Sequence, residues 1–424
     1  MKIKFINHAS VLINVNGVNL ISDPWLFGST FYDGWSLISK SCQVDWGEID
    51  YVWISHEHPD HFHVPSIKSI PEKYKANITF LYQSTMDNKV NNWLKSQNFK
   101  VKLLPNLKKI KIASNVFIKS GKTPQDDSWL LIDDGKTKFL NLNDCETKSK
   151  QFKFIMKKFA REIGRVDILA SQFGFASYLG YNQTIRKKSA QSVLDKVDYQ
   201  IEVLKPKYYI PFASFSYFSH KENFLQNKEN NSVFDVHDFL LKKRRTLPVV
   251  LYPGDTWIPY KSHNNNSALE KYKKDYNNAF QKPLNDNTKK YNLNFLKQKS
   301  LEYKEKIIKK NVFLKIFKPK ATIIWVKDLK KSIKFDLKDG ITSVKISRKY
   351  CDIEMASDLI FGWLNFDYGG ASAYISARIS YNNNEAYRSA YKYFYISNGN
   401  NRGETWPWFV FKRRIKARFL KTFY

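Results

Sequence analysis

The tightest constraint on this chain is the run Ser55-His56-Glu57-His58-Pro59-Asp60-His61, set directly behind the apolar stretch Tyr51-Val52-Trp53-Ile54. Four groups able to bind a metal fall within six residues, and half of the chain's eight histidines sit in residues 56–63. Solvated loop residues have no reason to concentrate in this way. Imidazole nitrogens with a carboxylate suit a borderline divalent ion such as Zn2+, and iron and manganese accept the same set. Two histidines at i and i+2 converge on one ion from a tight loop. Asp60 and His61, a turn further on, face a second ion beside it.

Around this motif, residues 1–140 read as short β runs broken by Gly, Asp and Asn, with helices over Val64–Ile70 and Thr85–Lys95. Further helices are expected at Phe152–Glu162 and Ser189–Val203, and strands at Val166–Ala170, Tyr208–Pro211 and Val249–Tyr252. This α/β alternation predicts an αββα sandwich with the site on loops at one edge of the sheets. At 424 residues the chain exceeds what one core usually organises. We divide it into a metal-binding domain at 1–260, a polar Lys/Asn-rich and mostly helical connector at 261–320, and a smaller α+β domain at 321–424. In the last, Ala321–Val326, Ser332–Leu337, Ser343–Ser347 and Ala373–Ile379 read as strands and Ala356–Asn365 as a helix.

The spacing His-x-His-x-Asp-His after a strand resembles the signature of the metallo-β-lactamase superfamily. Phe5–Ile13 followed by Gly17 and Leu20–Trp25 is similar to its opening hairpin and first Asp-Pro turn, and Phe139–Asp144 to the strand that ends on its metal-bridging Asp. Asp23-Pro24-Trp25-Leu26 with Gly34-Trp35, Ser171-Gln172-Phe173, Pro211–Phe215 with His220, and Pro253-Gly254-Asp255 resemble the branch typified by CMP-N-acetylneuraminate hydroxylase. A more distant likeness is to N-acyl-phosphatidylethanolamine phospholipase D. The resemblance implies metal ligands at His56, His58, Asp60, His61 and Asp144, with Asp60 also catalytic. It places His8, Asp23 and Asp255 near the substrate. Residues 353–370 loosely resemble a sterol-carrier-like domain.

The departures from that pattern matter equally. The superfamily's full two-metal site needs two further histidines, yet none lies between His63 and His220. Where the first is expected, the chain offers Gln125, Asp126 and Asp127; where the second is expected, Ile210–Phe215 carries Pro and Phe. His63, His220 and Asp255 are the candidate substitutes, and His220 ranks first because the hydroxylase branch has a similar His. One or two divalent ions are expected, zinc first, with iron or manganese as alternatives. Glu57 should point to solvent or a Lys. Cys145 is either a ligand, as in some relatives, or a buried small hydrophobe.

Net charge is +31, but residues 1–60 hold seven acidic and three basic residues whereas residues 261–320 hold sixteen Lys against five acidic residues. The excess lies away from the metal motif. A Lys- and Asn-rich genome accounts for much of it; a functional reading is an anionic small-molecule substrate or an acidic membrane. Nucleic acid is a weak third choice, since no recognition-module pattern accompanies the charge. Three scattered cysteines, no apolar span of membrane length and no leader pattern read as cytoplasmic. The closing run Trp406–Leu420, aromatic then basic, reads as a docked terminal helix or a peripheral membrane contact.

Three functions follow. The first is a metal-dependent hydrolase acting on an anionic, phosphate-bearing substrate such as a nucleotide sugar or glycan precursor, with Asp60 orienting water. The second is an iron-dependent oxygenase. Cys42, Cys145 and Cys351 have no His within three residues, so they build no Rieske cluster. An oxygenase would therefore need a separate electron-transfer partner. The third is a non-catalytic binding protein stabilised by metal.

Overall fold

The computed structural model describes residues 1–123, 127–145, 150–176, 182–285, 289–381 and 384–408. Gln125, Asp126 and most of the closing run Trp406–Leu420 fall outside them. Strand Lys2–Asn7 shows how the sequence builds the first layer. Successive side chains face opposite ways, so Ile3 and Phe5 enter one core while Ile6 enters another. The same parity recurs at Leu20 and Ile21, Trp53 and Val52, and Leu81 and Phe80. The strand order is Thr256–Trp257, Lys2–Asn7, Ser10–Val15, Val18–Ser22, Tyr51–Trp53, Thr79–Gln83 and Lys100–Leu104.

A second seven-stranded sheet runs Leu247–Pro248, Tyr208–Phe212, Ile168–Gln172, Lys138–Asn143, Ser128–Asp133, Val116–Lys122 and Lys109–Ala113. Both sheets feed one continuous apolar core. Helices Val64–Lys68 and Lys89–Ser96 cover the first sheet through Ile67, Val90 and Leu94. Helices Lys150–Ile163, Gln183–Leu204 and Val233–Lys243 join the main core through Phe159, Val197, Ile201 and Val236. The result is the αββα sandwich expected from the sequence.

Two expected strands are absent. Val249–Tyr252 is irregular, because side chains take its backbone groups: Val250 N–H donates to Asn265 Oδ1 (2.8 Å) and Tyr252 N–H to Asp255 Oδ2 (2.9 Å). Ala373–Ile379 instead closes the helix Gly369–Ile375 and then runs through a turn. Its glycines permit close packing on helix Ser357–Asn365, where a Cβ on Gly369 would collide with the Gly362 carbonyl.

A second core gathers Leu296, Tyr303, Phe335, Trp363 and Tyr393 around the sheet Gly340–Val344, Lys331–Asp336, Thr322–Val326, Ile353–Met355, Ser380–Tyr381. The polar stretch after residue 260 is divided between the cores. Helix Asn265–Ala279 inserts Tyr272 and Tyr276 into the first, and Leu293–Lys310 inserts Tyr303 and Ile307 into the second. The two bodies are locked by polar contacts. Arg378, buried, reaches Glu222 (2.7 Å), Asp358 (2.8 Å) and the Tyr32 carbonyl, and Lys327 adds a second cation to Glu222 (3.0 Å). Gly34 has to be glycine here: a Cβ would lie 2.7 Å from the Ser376 carbonyl oxygen.

Candidate metal centre

Strand Tyr51–Trp53 lies parallel between Val18–Ser22 and Thr79–Gln83, so the chain leaves the middle of a sheet buried. Asp23 fixes the exit. Its carboxylate accepts from Ser55 N–H (2.8 Å), from Ser55 Oγ–H (2.7 Å) and from His61 Nδ1 (2.8 Å). The loop then doubles back, with His61 and Phe62 N–H donating to the His58 carbonyl at 2.9 and 2.7 Å. This brings the rings of His56 and His61 to 4.2 Å between centroids. Asp23 thereby sets the histidine tautomer and leaves His61 Nε2 facing the site.

The second sheet supplies Asp144. Strand Lys138–Asn143 ends on a left-handed Asn143, whose side chain donates to the Ser128 carbonyl (2.8 Å) and accepts from Asp144 N–H (2.6 Å). Other corners at the site are also left-handed without being glycine: His8 (φ 43°), Asp23 (φ 35°) and Ala213 (φ 48°), beside Asn143 (φ 38°). Such residues are held there by their surroundings at a local cost of roughly 1–3 kcal/mol each. Ala213 N–H donates to the His8 carbonyl (2.9 Å), tying the two sheets together at the site.

Two groups of candidate ligands result. His56, His58 and Asp144 form one, and His8, Asp60 and His61 the other, the donor atoms of each lying within 4.8 Å of one another. Asp144 Oδ2 stands 3.7 Å from His56 Nε2 and 3.6 Å from His61 Nε2, between the two. Asp60 Oδ2 stands 3.6 Å from His61 Nε2 and 3.5 Å from His8 Nε2, and Asp127 Oδ1 lies 4.0 Å from His56 Nε2. These separations exceed good hydrogen-bond lengths. Both ring nitrogens of His8, His61 Nε2, Asp60 Oδ1 and Asp144 Oδ1 are buried with no hydrogen-bond partner. Each orphan of this kind costs about 1–3 kcal/mol unless something binds it. The donor set fits divalent cations.

The electrostatics agree. Burial lowers the pKa of His56 well below the usual imidazole value, and of His8 as well. At His61 burial also works against the charged form, yet Asp144, Asp60 and Asp23 push it up to about 10. Burial would raise Asp60, but His61 and His8 hold its carboxyl far below the usual range. This is a pocket whose carboxylates pull hard on any cation.

The sequence-designated residues therefore separate into three sets. His56, His58, Asp60, His61 and Asp144 come together. His8, read as substrate-near, stands among the candidate ligands; what distinguishes it is its place at the end of a strand that pairs across the sheet. Asp23 lies beneath the ligands as their positioning residue. Asp255 is engaged elsewhere, closing its own turn and meeting Lys271 at 3.3 Å. His220 joins neither ligand group. It faces Glu222 (3.5 Å), with its neutral form favoured first by burial and then by Arg378, to a pKa of about 4. His63 caps helix Val64–Lys68 through Ser66. Cys145 is buried, and burial raises its thiol well above the usual value. Glu57 lies within electrostatic reach of Tyr368.

Residues 2–211 match the family model described as a beta-lactamase superfamily domain. The cytidine monophosphate-N-acetylneuraminic acid hydroxylase of Xenopus laevis is 24% identical over 277 residues, covering 61% of this chain and 44% of that one. The chain thus spans less than half the length of this relative. Among solved structures, the diiron β-hydroxylase CmlA from Streptomyces venezuelae is 15% identical (TM-score 0.44; 60% of this chain and 53% of that one). An isothiocyanate hydrolase from Delia radicum gut bacteria is 12% identical (TM-score 0.44; 61% and 99%). Residues 2–211, which hold every candidate ligand, are thereby identified as a beta-lactamase superfamily domain.

Proposed function

We propose that the chain is a metal-dependent hydrolase acting on an anionic, phosphate-bearing substrate such as a nucleotide sugar or glycan precursor. The observation that carries this reading is the position of Asp144 Oδ2, within 4 Å of imidazole nitrogens from both ligand groups at 3.7 and 3.6 Å. Divalent ions in such a centre supply Lewis acidity and a water acidic enough to act as nucleophile near neutral pH. Asp60, ionised and tucked between His8 and His61, would help hold such ions and would orient that water by accepting its hydrogen bond. Asp23 keeps His61 in one tautomer.

A second reading, an iron-dependent oxygenase, is favoured by the make-up of each candidate group, two histidines with one carboxylate, a donor set that suits non-haem iron. It would draw electrons from another protein, because the chain's cysteines have no histidines near them. Elemental analysis of aerobically purified protein, joined to an assay with a bis-aryl phosphodiester, separates the two. Hydrolysis is expected with zinc or manganese bound, and Asp60→Asn should lower turnover by roughly 10²–10⁴-fold. Bound iron, oxygen consumption and no hydrolysis would sink the hydrolase reading.

A further inference from the structure

A short turn on the second core presents more apolar surface than that core uses. Helix Leu293–Lys310 ends at Asn311, and Val312–Lys315 form a single 3-10 turn. The turn is pinned from inside. Leu314 is fully buried, the Asn311 amide donates to the Ile307 carbonyl and to Asn400 Oδ1 (both 2.7 Å), and Asn311 Oδ1 accepts from Trp406 N–H (2.7 Å). Held this way, Val312, Phe313, Ile316 and Phe317 are 65%, 45%, 76% and 69% exposed. Exposed apolar residues scattered singly are ordinary; four in six residues on a rigid turn are not. Trp408, also largely exposed, sits with its ring 6.2 Å from Phe313 and widens the patch.

Along the chain the charge flanking the patch has one sign. Lys309, Lys310, Lys315, Lys318 and Lys320 are all exposed, and residues 309–320 contain no Asp or Glu. An apolar centre with a cationic rim matches a surface that is anionic outside and apolar beneath, the head-group boundary of an acidic bilayer. A second copy fits less well, since a two-fold contact would set the same lysines against each other. Among the described residues no helix is long and apolar enough to cross a membrane, so the contact is peripheral. We propose that the turn Val312–Phe317, ringed by these lysines, docks the protein on anionic phospholipid membranes.

The test sediments the full-length protein with vesicles of phosphatidylcholine alone and of phosphatidylcholine mixed with phosphatidylglycerol. Binding is expected to the mixed vesicles, falling as salt is added. Ile316→Ser/Phe317→Ser should weaken it at least tenfold, and Lys315→Gln/Lys318→Gln by roughly fivefold for each lysine removed. Leu247→Ser, exposed on the other body, should change nothing. An unchanged melting temperature and metal content would show that the serine variant is folded. Failure to bind the mixed vesicles, or unweakened binding by the folded serine variant, overturns the proposal. So does a wild-type dimer that the serine pair converts to monomer while vesicle binding persists, which would assign the patch to a second copy.

Discussion

A carboxylate oxygen lying between imidazoles of two ligand groups gives each residue of the centre a distinct expected loss. Asp144→Ala should reduce both ions, since Asp144 faces His56 and His61 alike. His8→Ala should reduce only the ion shared with Asp60 and His61. His220→Gln should leave metal content intact, because its partners are Glu222 and the cations around it. Metal-to-protein ratios of the three variants, prepared identically, check this; equal losses in His8→Ala and His220→Gln would refute the grouping. The clustering from His56 to His61 was legible in the sequence because these candidate ligands are neighbours along the chain. His8 was only half legible: its place among the ligands depends on strand pairing and a left-handed corner that no local pattern announces. His220 ranked first on resemblance, yet the turn behind strand Ser216–Phe218 sets it within electrostatic reach of Arg378 and Lys327 and outside both candidate ligand groups.

At the scale of elements, that turn carries a pH dependence. His220 is neutral when folded, its pKa lowered from 6.5 to about 4 by burial and by Arg378, Lys221 and Lys327, with Glu222 opposing. The unfolded chain therefore binds the extra proton between those values. Stability from this residue is full above pH 6.5 and is lost progressively as pH falls towards 4, by up to about 3 kcal/mol. The melting temperature of the wild type should fall over that window, and His220→Gln should flatten the slope. An identical slope in both proteins would remove His220 from the account. Glu222, whose carboxyl is held low by Lys327 and Arg378 against burial, adds a further loss only below its ordinary value near 4.5. Strands with clean alternation were readable from sequence, as at Lys2–Asn7. Val249–Tyr252 and Ala373–Ile379 were not, since Asn265 and Asp255 side chains in one case and a glycine contact in the other decided their backbone.

At the scale of the molecule, the two cores meet across buried charge. Arg378→Met would leave Glu222 and Asp358 without their shared cation, a loss of roughly 3–5 kcal/mol. Calorimetry should show a lower melting temperature and a single transition splitting into two, with metal content retained. One unsplit transition at the wild-type temperature would mean that the bodies are coupled by other contacts. The polar stretch at 261–320 stood out in composition, but its sharing between the two cores did not, because it rests on which core receives the tyrosines of each helix. The left-handed corners at His8, Asp23, Asn143 and Ala213 belong to this scale too, since two come from each sheet. The distance of Asp144 from the histidines is set by the gap between the sheets rather than by the histidine loop. That makes the centre poorly portable: residues 55–61 grafted onto another scaffold would carry four of the six candidate ligands and leave His8, Asp144 and the ruler behind. Within this scaffold the opposite holds, and donor types can be exchanged one at a time while the anchor points stay where the sheets put them.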